Sequence, residues 1–184
     1  MDDVVIQMTE RWVQRFVVDL NLCPFARREI EGGRVRYAVT EARSEAELLA
    51  ALDSEMQTLD AQPEIATTLL IHSWVLTDFF SFNQFLDEVD RLLISTRREG
   101  IYQVASFHPQ YQYAHTQVDD PENFANRSPY AMLHILREAD VSAAVAAHPD
   151  TSAIPATNLT TLNALGAAKL EQMWQAVRDD SSND

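Results

Sequence analysis

At 184 residues, 46% of them apolar and 23% charged, the chain has the size and composition of about one globular domain, able to bury roughly 70% of the surface its unfolded form exposes. Its 28 acidic residues against 14 basic ones give a formal net charge of −14, which argues against nucleic acid or an anionic membrane surface as partner, since both recruit summed positive charge. The single cysteine, Cys23, excludes a disulfide or a cysteine-based zinc cage within the chain, and no apolar run reaches the roughly 18 residues of a membrane helix.

Val5, Met8, Trp12, Phe16 and Leu20 recur at three and four residues, with Val13 and Val17 widening the stripe, so residues 3–20 are expected to form an amphipathic helix. Asn21 and Pro24 end it, because proline biases the residue before it towards an extended conformation. The acidic start MDDVVIQMTERW does not read as a secretory signal, and the expected location is cytoplasmic. Gly32-Gly33 is a turn into a first strand, Arg34 to Thr40, where residues alternate. Ser44 with Glu47 three residues on is a capping box, predicting a helix over about 45–60. Thr67 to Val75 (TTLLIHSWV) is largely apolar and reads as a central strand. A helix follows from about Ser81 to Arg97, with Phe82, Phe85, Leu86, Val89, Leu92 and Leu93 on one face and Gly100 as its stop. Ile101 to Phe107 is the third strand. Long crossovers that contain helices favour parallel neighbours. The later segments, about 129–147 and 155–178, read as helical, and 179–184 (DDSSND) as a disordered acidic tail. The expected fold is therefore α/β: a small three-stranded parallel sheet with flanking helices and a helical C-terminal part, in a single domain over 1–178.

Residues 106–137 hold three of the five histidines and three of the five tyrosines between apolar elements, as a site-building loop would. In a parallel sheet that loop starts at the C-terminal edge, where open α/β sheets bind ligands. Thr40, Glu41, His72, Trp74 and Phe107-His108-Pro109 would gather there too. His108 and His134 are the candidate catalytic residues, as general acid, general base or metal ligand. On a helix from Pro129, residues Tyr130, His134, Arg137 and Glu138 would share one polar stripe. In Asn126-Arg127-Ser128-Pro129, Ser128 would cap that helix and Pro129 would open it. The free amides would attract an anion, and Arg127 would add a planar fork. Asn126, Arg127, Ser128, Tyr130 and Arg137 are thus the candidate ligand-binding residues.

His72 reads as a core histidine, His115 as an exposed loop residue, and His148-Pro149-Asp150 as a turn. Whether His72, His108, His134 and His148 converge stays open at this level. So does a divalent metal held by His108, His134 and Asp119, Asp120 or Glu122, since no HExxH pattern is present. Cys23 beside Pro24 reads as a small packing residue. The chain has no GxSxG, Walker or GxGxxG motif and only four glycines, which disfavours nucleotide chemistry.

The blocks NLCPFA at 21–26, ASFHPQY at 105–111, NRSPYAMLHILRE at 126–138 and AAHPD at 146–150 resemble the bacterial domain-of-unknown-function family 1415, over about residues 8–168. The resemblance implies a small cytosolic bacterial protein of one domain and supplies no mechanism. In the family pattern proline often stands where this chain has Ala131, and His115 lies outside the signature. The leading expectation is a site for a small anionic molecule at the C-terminal edge of the sheet, serving either an acid–base or hydrolytic enzyme or a noncatalytic binder. The alternative is an interaction or scaffold protein using an aromatic surface around Phe79–Phe82, with Trp12 and Trp74 as further aromatic candidates. Oligomeric state is not legible.

Overall fold

The computed structural model describes residues 2–148 and 150–179. The acidic tail expected from 179 onward therefore lies, apart from Asp179, outside the described residues, as does Pro149. The first amphipathic stripe folds as α1, Asp2–Trp12, continuing into a π-helical segment, Val13–Val18. That wider coil ends with Asp19 N–H donating to Gln14 O at 2.9 Å, and Asn21 then turns the chain with a left-handed φ of 53°. The block after it does not run straight to the first strand: a short helix not foreseen in the sequence, α2 (Ala26–Glu31), intervenes.

Strand β1 (Val35–Thr40), helix α3 (Glu45–Ala61), strand β2 (Thr67–His72), helix α4 (Phe79–Ser95) and strand β3 (Tyr102–Phe107) follow in the expected order. Local chemistry explains the starts. Ser44 Oγ accepts the Glu47 amide, while the Glu47 carboxylate reaches back to the Arg43 amide rather than to that of Ser44 itself. Asp78 caps α4 by accepting the Ser81 amide at 3.0 Å, so this helix begins two residues before Ser81.

The sheet corrects the expected one. It has four strands among the described residues, in the order β1-β2-β4-β3, and it is mixed. β1 and β2 pair in parallel, with Thr40 opposite His72. β4, Ala131–Arg137, is antiparallel to both β2 and β3 and lies between them. β1, β2 and β3 still point one way, so their C-terminal ends share an edge, but β2 and β3 do not touch. The helix expected from 129 is thus a strand up to Arg137, and only Glu138–Ala147 is helical, as α5. Burial is the physical reason. Met132 packs into the core on one sheet face while Leu133 and Ile135 pack into the core on the other. A helix with one polar stripe would have left no such two-sided burial.

Both sheet faces are covered. Trp12, Phe16, Leu69, Ile71, Met132, Phe124, Leu162 and Trp174 form one core, under α1, the π-helical segment and two C-terminal helices. Those helices are α6 (Ile154–Leu165) and α7 (Ala167–Asp179), divided at Gly166, whose φ of 76° breaks the single helix expected over 155–178. Leu48, Leu52, Met56, Leu70, Phe82, Phe85, Leu133 and Ile135 form the second core, under α3 and α4. β2, central and covered on both faces, is buried along its whole length. No helix among the described residues is long and apolar enough to cross a membrane.

Candidate functional site

The long connection from β3 to β4 leaves and re-enters the sheet at the C-terminal edge, where Phe107 pairs with Met132 and His72 with Ala131. Three side chains give this segment its shape. Asn123 is fully buried: its Oδ1 accepts the Tyr113 amide and the Thr116 hydroxyl, both at 2.9 Å, and its Nδ2 donates to Gln117 O. Asn126 donates to Ser106 O at 3.1 Å and accepts the Tyr113 hydroxyl at 2.8 Å. Arg127 lies over the Phe124 ring and divides its guanidinium between Tyr111 O and Val118 O. A loop held by this many side-chain bonds is a fixed wall, in which a 3₁₀ turn, Pro121–Ala125, presents Glu122 and Ala125.

That wall faces a cleft of about 560 Å³, within the range of small-molecule sites. Its lining combines Leu22 and Cys23 from the turn after the π-helical segment, Phe107 at the end of β3, Tyr113, Thr116, Glu122 and Asn126 from the loop, and Leu159 and Leu162 from α6. Asn158 Nδ2 donates to Leu22 O at 2.8 Å, fixing α6 against the Cys23 turn. The lining is mostly apolar. Burial raises the Cys23 thiol above its ordinary value, against opposing backbone bonds from Phe25 and Ala26, so the sulfur is not an activated thiolate.

The other sequence candidates lie elsewhere. His108 is 1% exposed and packs 5.2 Å from the Phe82 ring and 5.6 Å from Phe79. Its Nδ1 accepts the Gln110 amide at 3.0 Å and its Nε2–H donates to Leu76 O at 3.3 Å. Both nitrogens are engaged. His72, on the same sheet face, donates from Nδ1 to Val75 O at 3.0 Å, and its Nε2 is buried without a partner. Together the two imidazoles hold the β2–α4 turn, including Leu76 with its left-handed φ of 55°. Burial lowers the proton affinity of both, that of His72 to about 4. His108 is therefore brought to His72, not to His134.

His134 faces the opposite core, 6.0 Å from the Phe107 ring. Thr67 gives its one hydroxyl hydrogen to Ile135 O at 2.6 Å, so its 2.7 Å contact with His134 Nε2 requires the ring to donate. Burial pushes this imidazole down to about 4 as well. Arg137, across the pleat from His134, sits at the far, N-terminal edge and donates to the Leu59 and Gln62 carbonyls at the end of α3 and to Ile65 O in the connection to β2. Ser128 caps no helix: it is buried and donates to Tyr130 O. Tyr130 lines a separate, smaller cleft with Met8, Gln175 and Arg178. Of the residues expected to be catalytic or ligand-binding, only Asn126 lines the larger cleft. Among the described residues, no three His, Cys, Asp or Glu side chains are grouped as a metal ion would need.

Sequence reasoning missed Asn123, Thr116, Asn158 and Leu159. Asn158 and Leu159 carry no local signal, since α6 reaches the cleft only through the tertiary fold. Asn123 was visible only as one polar residue among many in DDPENFANRSP. The four blocks that stood out in the sequence do meet: Cys23, Phe107 and Asn126 line one cleft, and His148 packs edge-on against Phe25 at 5.7 Å. A family model described as "Protein of unknown function (DUF1415)" matches residues 4–172. The chain belongs to that family. None of the curated proteins and no solved structure is significantly similar to it.

Proposed function

We propose that this chain is a small-molecule binding protein whose site is the cleft at the C-terminal end of β3, and that its ligand has a predominantly apolar body. The observation that carries this reading is the cleft itself: an apolar cavity of about 560 Å³ against a loop made rigid by Asn123, Asn126 and Arg127, at the sheet edge where α/β folds bind ligands. Binding is favoured over acid–base catalysis because both nitrogens of His108 are committed to the backbone and the Cys23 thiol is pushed up. An anionic ligand is disfavoured here, since Arg127 and Arg137 are engaged by carbonyls and no described Lys or Arg lines the cleft.

The aromatic-surface alternative has less support. Phe82 is fully buried, Phe79 packs on His108 and Tyr111, and Phe80, at 71% exposure, stands out alone from that trio. Trp74 is also exposed, at 49%, but its ring lies under the Arg43 guanidinium, and scattered exposed aromatics are ordinary for a protein surface. The binding reading is tested by ligand-observed NMR with an apolar fragment collection. Leu159→Trp, which fills the cleft from its half-exposed α6 wall, should abolish most hits at unchanged fold; hits that bind Leu159→Trp as well as the parent chain would sink it.

A further inference from the structure

The polar groups along this cleft share one property. Tyr113 has its only hydroxyl hydrogen committed to Asn126 Oδ1, and Thr116 has its hydroxyl hydrogen committed within its own loop, to Tyr113 O and Asn123 Oδ1. Both oxygens can only accept further bonds. Glu122 is half-buried on the same lining and has no hydrogen-bond or ion-pair partner among the described residues. It is also the only charged side chain on that lining among the described residues, and it lies close enough to Tyr113 to help burial and Tyr111 raise that phenol to about 12. A carboxylate drawn partly out of water with no cation beside it is electrostatically incomplete.

We infer that the cleft takes a protonated amine with an apolar body: the ammonium at Glu122, Tyr113 Oη and Thr116 Oγ1, and the body against Phe107, Leu159 and Leu162. This inference rests on the binding reading above and names its ligand class. An ammonium brings three donors and no acceptor, the complement of a carboxylate and two acceptor-only hydroxyl oxygens. The Phe107 and Tyr113 rings offer faces that favour a cation. The surrounding net charge of −14 raises the local concentration of cationic ligands. A carboxylate head would meet lone pairs and a negative charge.

The test uses three matched sets of probes, each an amine, an alcohol and a carboxylate on the same phenyl, indole or hexyl body, titrated into the full chain by protein-observed NMR. Amines are expected to bind at least about tenfold tighter than their alcohols, a difference of about 1.4 kcal/mol, with shifts at Phe107, Tyr113 and Leu159. Glu122→Gln should remove that advantage, bringing amine affinity down to that of the matched alcohols, at unchanged thermal stability. Alcohols or carboxylates binding as tightly as amines, or amine affinity unchanged in Glu122→Gln, would overturn the amine inference and leave the cleft as a binding site. If no member of any set binds, the amine inference and the binding reading fall together.

Discussion

At the N-terminal edge of the sheet, polar side chains end on protein partners. Arg137 donates to three carbonyls at and beyond the end of α3, Tyr102 donates to Asp60 at 2.6 Å, and Arg98 bridges Asp53 and Asp60. Asp60 is held below the usual carboxylate range, first by the Tyr102 hydroxyl and then by Arg98. At the C-terminal edge the loop residues also bond to one another, but among the described residues nothing pairs with Glu122 or with the acceptor lone pairs of Tyr113 and Thr116 beside the cleft. Both edges are rich in ionisable groups, so polar density does not distinguish them. Unsatisfied bonding capacity does, because a group already paired in the folded chain has little to gain from a ligand.

The contrast can be broken most directly at Arg137. Arg137→Ala should cost about 1.5–3 kcal/mol, since it removes a charged donor shared by the Leu59, Gln62 and Ile65 carbonyls, yet leave cleft binding intact below the unfolding transition. Urea denaturation measures this, and a loss under about 1 kcal/mol would mean the N-terminal edge is not the tighter one. The next effect is pH dependence. An unfolded imidazole titrates near 6.5, while His72 and His134 titrate at about 4 in the fold. Between those values the unfolded chain holds more protons, so stability is full above about pH 6.5 and falls as pH drops towards 4. The total is on the order of a few kcal/mol, and His72→Phe should flatten the slope measurably in denaturation series at pH 7 and pH 5.

Arg127 sharpens the comparison from the cleft side. Arg127→Ala should cost about 1–2 kcal/mol and weaken fragment binding together, because the guanidinium spans two carbonyls of the wall. Arg127→Lys should not restore binding, since a point charge cannot replace the planar fork. The smallest effect is expected at Phe80, where Phe80→Ser should change stability by less than about 0.5 kcal/mol and leave the sedimenting mass unchanged. A mass that shifts would make that exposed ring part of a contact surface.

Much of this was legible before the fold. The Ser44 cap, the stripe that buries Phe82, Phe85, Val89 and Leu93, and the direction of β1, β2 and β3 all follow from local pattern and crossover length. That residues 106–137 carry a long loop from the end of β3 was legible as well. The assignment of individual residues within it was not. Tyr130, His134 and Arg137 fall at helical spacing by accident of composition, and a run such as AMLHILR satisfies a helix as readily as a strand covered on both faces.

The sequence by itself determined where helix α3 starts, which face of α4 the core must bury, and that the chain belongs among α/β folds. These are decided by bonds and periodicities spanning a few residues, which any folded context would respect. Only the tertiary structure decided that 131–137 is a strand, because a strand's hydrogen bonds lie with partners distant in sequence: Leu69 for His134 on one side, Ala105 on the other. It also decided which polar groups are already satisfied. Arg137 is claimed by Leu59, 78 residues away, and the cleft that Glu122 lines exists only once α6 closes against the Cys23 turn.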